Sequence, residues 1–235
     1  KNIITAQLLQ KVGPKRVGEL AQAMGVRQSK LDLVPSLALG TSPVTLIEMV
    51  TAYSTLANGG TYFAPNLVLR VEDRQGRLLE QFAAVAEPTP AMPRAQALTL
   101  VNVMRGVIDE GTGAAIRSRY GIQADLAGKT GTTQDNTDGW FIMMNPQLVA
   151  GARVGFNDNS VTMGSWGQGA QSALPMVGEV FQQAFRNRWL DPAVEFDIPR
   201  PKPAEPPQDD PLADIVNQIM EKIMPSLREG TTVKQ

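Results

Sequence analysis

The apolar residues of the first sixty positions recur at helical spacing. They repeat every three or four residues over 3–12, 15–24 and 44–57, which is the period of one face of an α-helix. For the third segment we predict that Ser42 caps the first turn and that Pro43 opens the helix. The predicted apolar face of that helix consists of Leu46, Ile47, Val50, Tyr53 and Leu56.

Two later regions change to the alternation of β-strands. Residues 66–82 alternate on both sides of the turn at 73–76, as expected of a hairpin. Three further strands are predicted at 125–133, 139–144 and 148–156, and the middle strand is apolar on both faces. A strand of that kind belongs to a sheet that is covered on both sides. With further helices at 94–108, 114–118 and 173–188, the pattern predicts an α+β fold in which helices flank a mostly antiparallel sheet.

Past Asp197 the composition changes to a proline-rich stretch. We therefore predict a domain at 1–190, a proline-rich linker at 191–211, and a short amphipathic helix with a tail at 212–235. The apolar stripe of that last helix consists of Leu212, Ile215, Val216, Ile219 and Ile223. This stripe fits equally a helix that packs back onto this chain and a helix that docks onto another protein.

Composition and charge exclude several functional classes. The 235 residues include no cysteine and no histidine, so a catalytic triad with histidine and a zinc site of the usual ligands are excluded. Acid–base chemistry would fall to Lys, Asp, Glu or Tyr, and we expect no metal and no cofactor. The net charge of −1 without a basic run argues against nucleic-acid binding. No apolar run approaches the roughly 18 residues of a transmembrane helix.

The segment Ala127-Gly128-Lys129-Thr130-Gly131-Thr132-Thr133 is the strongest candidate for chemistry. Lys129 brings a positive charge to a strand, and the absence of a side chain at Gly131 permits close approach of another backbone. Thr130 and Thr132 share a face because strand residues alternate, and a free backbone N–H at a strand edge can serve as an oxyanion donor. These features together suit an extended peptide that ends in a carboxylate.

Two other interpretations of this segment remain at this point. A β-branched strand with one lysine is most often only a strand, and Lys-Thr-Gly is short enough to occur by chance. Gly128-Lys129-Thr130 also resembles the end of a nucleotide-binding P-loop. That loop needs a glycine five positions before Gly128, where this chain has Gln123.

The surrounding sequence resembles that of class A penicillin-binding proteins, in the C-terminal part of their transpeptidase domain. The resemblance covers residues 1 to about 187 and implies the fold that this family shares with serine β-lactamases. It is carried by residues 38–60, by Gly111-Thr112-Gly113-Ala114-Ala115, by 125–135, by Asp138-Gly139-Trp140-Phe141 and by 146–151. The chain departs from the family at Met143, usually a glycine, at Arg153, usually an aromatic residue, and in the loosely matching segment 167–170.

Such enzymes use three motifs, namely Ser-x-x-Lys, Ser-x-Asn and Lys-Thr-Gly. No serine of this chain is followed by Lys three positions later or by Asn two positions later. Lys1-Asn2 and the helix after them resemble the end of a Ser-x-Asn motif. On this interpretation Asn2 is the asparagine of that motif, its serine is the residue just before position 1, and the nucleophilic serine lies further upstream.

The resemblance implies a peptidoglycan D,D-transpeptidase that transfers acyl groups from D-Ala-D-Ala stem peptides through an acyl-serine. It implies catalytic roles for Lys129, Asn2 and Thr132, and contacts to the substrate from Thr130, Gly131, Thr132 and Thr133. The alternatives are a D,D-carboxypeptidase or β-lactamase of the same fold and a non-catalytic peptidoglycan-binding relative.

The resemblance also implies partners and a location. The expected partners are stem peptides, β-lactam antibiotics, the remainder of the same protein with its serine motif, and cell-wall synthesis proteins at the C-terminal helix. The expected location is the periplasm or another extracytoplasmic space, with an inner-membrane anchor outside this chain.

Overall fold

The computed structural model describes residues 2–82, 87–158 and 160–200. Much of the predicted linker and all of the predicted C-terminal helix lie outside these residues. The helices are α1 (Asn2–Val12), α2 (Pro14–Met24), α3 (Leu46–Ala57), α4 (Arg94–Asp109), α5 (Ala115–Ser118), α6 (Gly169–Ser172) and α7 (Leu174–Arg186), with short 3-10 helices at Pro35–Leu39 and Gly164–Gly167. The strands are β1 (Thr61–Tyr62), β2 (Arg70–Glu72), β3 (Leu78–Gln81), β4 (Thr89–Pro90), β5 (Ala127–Thr132), β6 (Asp138–Met144) and β7 (Val149–Gly155).

The three consecutive strands form one antiparallel sheet in the order β5-β6-β7. Asn145 makes the tight connection after β6, where its side-chain oxygen accepts hydrogen bonds from the amides of Gln147 and Leu148. Strands β2 and β3 form the predicted hairpin as a separate two-stranded sheet, and β1 pairs with β4. The predicted α+β fold with a mostly antiparallel sheet is confirmed.

Both faces of this sheet are covered, as the apolar pattern of β6 predicts. Phe141 and Met143 are fully buried in a cluster that includes Ile116, Leu174 and Phe181. On the opposite face, the second cluster of buried residues consists of Leu56, Ala97, Val101, Met104, Ala127, Met144 and Phe196. The sheet is therefore a central layer, with α5 and α7 on the face of Phe141 and with α3 and α4 on the opposite face.

Helix α3 begins later than predicted and buries a different face. Thr45, not Ser42, is the N-cap, and its hydroxyl accepts a hydrogen bond from the amide of Glu48 in a capping box. Ser42 instead accepts a hydrogen bond from the amide of Asp32. The predicted face was partly wrong, because Leu46 and Ile47 are exposed. The buried residues of α3 are Glu48, Thr51, Ala52, Thr55 and Leu56. Its buried threonines satisfy their hydroxyls on backbone carbonyls.

Glu48 is a buried carboxylate that organises the loop before α3. Only 5% of its surface is exposed. It accepts hydrogen bonds from the amides of Gln28 and Ser29 at 2.6 and 2.9 Å, from the Ser29 hydroxyl, and from the amide and hydroxyl of Thr45. Burial raises the pKa of Glu48, but the hydrogen bonds from Ser29, Thr45 and Gln28 outweigh it and hold the pKa well below its ordinary value.

A second buried charge connects α4 to the start of β5. The Arg105 guanidinium donates two hydrogen bonds to the Asp125 carboxylate, at 2.8 and 2.6 Å, and the two side chains are 2% and 0% exposed. Arg105 also donates to Asn102 Oδ1 and to the carbonyl of Ile198, and Asp125 accepts from the amide of Phe196. The pair is thus enclosed in a network that satisfies both charges.

This network extends the folded domain past the predicted boundary at residue 190. Phe196 is buried in the second cluster, and Ile198 packs against it. The compact unit accordingly runs to Pro199, so the first residues of the predicted linker are part of the folded domain.

The described residues contain neither a membrane-spanning helix nor a metal cluster. Across 2–82, 87–158 and 160–200, no helix has the length and apolar character that crossing a bilayer requires. In the same ranges, no three His, Cys, Asp or Glu side chains are grouped so that they could hold a metal ion.

We predict that Arg105→Ala destabilises the chain by about 3–5 kcal/mol, because it leaves the Asp125 carboxylate buried without its guanidinium. Chemical denaturation of the purified chain measures this change. The matched control is Arg94→Ala, which removes the exposed Arg94–Asp197 pair, whose side chains are 59% and 84% exposed, and costs about 0–1 kcal/mol. Equal losses of unfolding free energy for the two variants would show that the buried ion pair stabilises the chain no more than the exposed one.

We predict that Glu48 makes stability depend on pH. Because its folded-state pKa is depressed, its contribution is complete above the unfolded-state pKa of about 4.3 and is lost as pH falls through the folded-state value. The difference in unfolding free energy between the native chain and Glu48→Gln should therefore be constant above about pH 5 and should shrink below it. Denaturation curves from pH 7 to pH 3 measure this, with Glu19→Gln on an exposed side chain as the control. A difference that stays constant through the acid range would contradict the prediction.

Candidate active site at the edge of β5

Strand β5, which carries Lys129, Thr130, Gly131 and Thr132, lies at one edge of its sheet. It pairs with β6 on one side, in a register that places Thr130 opposite Phe141 and Thr132 opposite Gly139. Among the residues that the structure describes, no strand pairs with its other side. The predicted segment is therefore an open edge, to which an extended peptide could add as a further strand.

The direction of the backbone groups along this edge follows from one hydrogen bond. The amide of Thr133 donates to the carbonyl of Asp138 at 3.2 Å, so Thr133 faces β6. In an antiparallel ladder successive residues alternate between facing the partner and facing away. Thr130 and Thr132 consequently direct their N–H and C=O groups toward the open side, as required of Thr132 if its amide is an oxyanion donor.

The ammonium group of Lys129 reaches the same edge from the opposite face of the sheet. Lys129 is opposite Ile142 in the register, whereas Thr130 is opposite Phe141, and these two partners lie on different faces. The exposed Lys129 side chain turns back so that its Nζ donates to the carbonyl of Thr130 at 2.8 Å. Charge and hydroxyl groups therefore meet at the edge instead of sharing one face of the strand.

The two threonine hydroxyls lie on one face, as the alternation predicts. Thr130 Oγ1 is 2.6 Å from the hydroxyl of Thr112, in the loop between α4 and α5. Thr132 Oγ1 accepts a hydrogen bond from the amide of Gly169, at the start of α6, at 3.1 Å. Thr132 is exposed and Thr130 half-buried, so both hydroxyls are hydrogen-bonded to groups of this chain and remain accessible beside the open edge.

Gly131 has a structural reason to be glycine in addition to the predicted one. A Cβ atom at this position would lie 3.1 Å from Cβ of Trp140, its cross-strand partner. The absence of a side chain thus makes room for Trp140 of this chain as well as for an approaching backbone.

Thr133 and Asn2 are not brought to the open edge by contacts within the described residues. The hydroxyl of Thr133 accepts hydrogen bonds from the amides of Thr137 and Asp138 in the turn before β6, so it stabilises that turn. Asn2 is exposed at the first position of α1. No hydrogen bond joins it to β5 within the part of the chain that the structure describes.

Thr112 and Gly169 are candidate site residues that the sequence does not single out. Gly111-Thr112-Gly113 contributed only to the resemblance, and the segment around Gly169 matched it loosely. No local signal could have found them, because Thr112 precedes Thr130 by 18 positions and Gly169 follows Thr132 by 37. Only the packing of the loop and of α6 against β5 brings these groups together.

Arg153, one of the departures from the family pattern, has a partner within the sheet. Its Nε donates to the carboxylate of Asp138 at 3.0 Å, and its Nη2 donates to the carbonyl of Phe156. Asp138 begins β6, directly before the residue opposite Thr132. The arginine is therefore accommodated as an ion pair at this end of the sheet.

Two surface depressions lie away from the open edge. One, of about 510 Å³, is lined by Glu19, Gln22, Ala23 and Arg27. The other, of about 420 Å³, lies between residues 120–124, which follow α5, and residues at the end of α7. Neither is lined by a residue of β5.

The sequence matches the family described as "Penicillin binding protein transpeptidase domain" over residues 1–154. Among curated relatives, penicillin-binding protein 1A of Neisseria meningitidis is 34% identical over 194 residues, which are 80% of this chain and 24% of the relative. Penicillin-binding protein 1A of Aquifex aeolicus is 33% identical over 198 residues, which are 84% and 26%. The chain thus spans about a quarter of the length of these relatives.

Solved structures of similar proteins agree in fold. Penicillin-binding protein 1A from Haemophilus influenzae superposes with a TM-score of 0.69 at 24% identity, over 88% of this chain and 35% of that one. The penicillin-binding protein PonA1 from Mycobacterium tuberculosis superposes with a TM-score of 0.60 at 25% identity, over 87% and 59%. With this agreement of sequence and fold, the chain belongs to the penicillin-binding protein transpeptidase domain family.

Proposed function

We propose that this chain supplies one wall of the active site of a peptidoglycan D,D-transpeptidase. The single observation that carries the proposal is the open edge of β5, where the Lys129 ammonium, two threonine hydroxyls and the outward backbone groups of Thr130 and Thr132 converge. An ammonium and hydroxyl donors beside an unpaired strand edge suit the C-terminal carboxylate of an extended peptide. Membership of the family supports this chemistry.

The proposed reaction is acyl transfer through a serine. The serine oxygen attacks the carbonyl of the penultimate D-Ala of a stem peptide, the peptide bond breaks, and the terminal D-Ala leaves with a proton on its amine. The amine of a neighbouring stem then attacks the acyl-serine, and the serine regains its proton as the crosslink forms. The 235 residues contain neither a Ser-x-x-Lys nor a Ser-x-Asn sequence, so we assign the nucleophile to a part of the protein outside them.

Each residue of the edge has a proposed role in this reaction. Lys129 places positive charge where the substrate carboxylate and the serine motifs would meet it. Thr130 and Thr132 donate hydrogen bonds to the carboxylate, and the amide of Thr132 donates to the oxyanion together with the serine's own amide. Asn2 would hold the substrate amide once the rest of the site is assembled. We leave Thr133 out of the carboxylate site, because its hydroxyl accepts from two amides of the turn before β6 and also has acceptors for its proton there, namely the Thr137 hydroxyl and the Asp138 carbonyl.

Partners and location follow from the proposed reaction. Stem peptides and β-lactams are the proposed ligands, since a β-lactam ring presents an acyl group beside a carboxylate as D-Ala-D-Ala does. The solved structures include PonA1 in complex with penicillin V and penicillin-binding protein A of M. tuberculosis as a ceftriaxone acyl-enzyme. Crosslinking takes place outside the cytoplasm, so we propose an extracytoplasmic location with the membrane anchor elsewhere in the protein. Docking of cell-wall synthesis proteins at residues 212–223 stays a prediction.

We expect Lys129→Ala, in the longer protein that carries the serine, to slow acylation by a fluorescent penicillin by roughly 10²–10³-fold, the scale for losing an electrostatic contact to the transition state. The measurement is the second-order rate of covalent labelling. Lys11→Ala, on the exposed end of α1, is the matched control and should label at the native rate. Native labelling by a folded Lys129→Ala protein would exclude the assigned role.

Product analysis with and without an acceptor amine separates transpeptidation from carboxypeptidase or β-lactamase activity.

We expect the 235-residue chain by itself to form no covalent adduct with penicillin, because it contains no serine in either serine motif. Mass spectrometry of the chain after incubation with penicillin tests this, with the longer protein as the positive control. An adduct on any serine of the isolated chain would place the nucleophile within these residues.

A further inference from the structure

The two hydroxyls at the β5 edge are each hydrogen-bonded to another group of this chain, and the proposed function does not account for these contacts. A threonine hydroxyl has one proton to donate and can accept through its lone pairs. Thr130 Oγ1 is 2.6 Å from Thr112 Oγ1, and Thr132 Oγ1 is 3.1 Å from the amide nitrogen of Gly169. If Thr112 or Gly169 donates the hydrogen bond, the proton of the threonine that accepts it is free for a substrate. If the threonine donates instead, its proton is already used.

At Thr132 the direction of the hydrogen bond is fixed by chemistry. A backbone amide can only donate, so Thr132 Oγ1 is the acceptor and its proton remains available to an outside group. The approach of this amide depends on glycine. A Cβ atom at Gly169 would lie 2.2 Å from the carbonyl oxygen of Trp140 and 2.4 Å from that of Gly131. Position 169 is thus held against β5 at a distance that no side chain permits.

At Thr130 the partner is the hydroxyl of Thr112, an exposed residue, and either oxygen could be the donor. Thr130 can give its proton to a carboxylate only if it accepts from Thr112. The loop that holds Thr112 is tightly packed. A Cβ atom at Gly111 would lie 2.7 Å from Cα of Val107, and one at Gly113 would lie 3.0 Å from Ile108 Cδ1. The amide of Gly113 is also bonded to the Val107 carbonyl at 2.8 Å.

We propose that Thr112 is a positioning residue for the substrate carboxylate, acting through Thr130. Its hydroxyl donates to Thr130 Oγ1, so Thr130 donates its proton outward, in the same way that the Gly169 amide directs Thr132. The outcome is a receptor whose two hydroxyls are both arranged as donors before an anion arrives. A donor chain of this kind polarises each member in the sense that a carboxylate requires. The inference rests on the proposed function, because it needs a substrate with that carboxylate.

The test compares two penicillins on the longer protein that carries the serine. One is benzylpenicillin, whose carboxylate is intact, and the other is its methyl ester, which lacks the anionic group. Thr112→Val keeps the shape of the side chain and removes its hydroxyl. We expect it to slow acylation by benzylpenicillin by about three- to tenfold, the range for one hydrogen bond. It should slow acylation by the ester less, because the ester carbonyl accepts a hydrogen bond without the charge that strengthens it. Thr112→Ser, which restores a hydroxyl, should recover most of the native rate.

Two further variants complete the design. Thr99→Val removes an exposed hydroxyl of α4 that donates to the Ala95 carbonyl, and it should leave both rates unchanged. In a Thr130→Val background, Thr112→Val should have no additional effect, because the proposed path runs through Thr130. Since the ester reports on the folded site within the same protein, a general loss of structure is recognised by equal falls in both rates.

Every outcome either supports or overturns the proposed role of Thr112. A loss that is larger with benzylpenicillin than with the ester, recovered by Thr112→Ser and absent in the Thr130→Val background, supports it. Equal losses with acid and ester, no recovery with serine, or a native rate for Thr112→Val would overturn it. The proposed function is judged separately by labelling of the native protein and its dependence on Lys129. A protein that labels through Lys129 but is indifferent to Thr112 would remove only the inference.

Discussion

The buried ion pair between Arg105 and Asp125 is the constraint on which the position of the site depends. Asp125 precedes β5 by two residues, and Arg105 lies on α4, which packs along that strand. Two charges that are almost wholly removed from water remain stable only if their hydrogen bonds are nearly all made, and this requirement allows little displacement. Because the same pair also holds the amide of Phe196 and the carbonyl of Ile198, it fixes a helix, a strand and the last described segment together at the start of the β5 edge.

Beyond this ion pair, β5 continues as an edge strand of the sheet. One side is hydrogen-bonded to β6, apolar clusters cover the two faces of the sheet, and the remaining side is open among the described residues. Open edges are normally protected, and a charged side chain is one of the usual protections. Lys129 has that property while its ammonium caps the outward carbonyl of Thr130. The same residue therefore fits both an edge that must resist self-association and an edge that must bind an anionic peptide.

The local features were predictable from sequence, and the contacts between distant segments were not. The three strands and most helices followed from periodicity, and the candidate edge followed from residues 127–133, since these depend on neighbours in the chain. The cap of α3 was misplaced because Ser42 before Pro43 fits one N-terminal preference, although Thr45 followed three positions later by Glu48 is a capping box that the sequence itself contains. By contrast, the pairing of Arg105 with Asp125, and of Thr112 with Thr130, joins residues about twenty positions apart. Composition alone offers no means of choosing such partners.

At the β5 edge, the group that would attract an anionic peptide differs from the groups that would orient its carboxylate. The ammonium of Lys129 arrives on a long, exposed side chain from one face of the sheet, so its attraction for an anion is strong but weakly directional. The hydroxyls of Thr130 and Thr132 come from the other face on short side chains. Thr132 accepts from the amide of Gly169, and in the direction that we propose Thr130 accepts from Thr112. Their remaining freedom is to donate toward the open side. Charge would then account for the rate at which an anionic peptide is captured, and the two hydroxyls for the angle at which its carboxylate, and hence its scissile bond, is held.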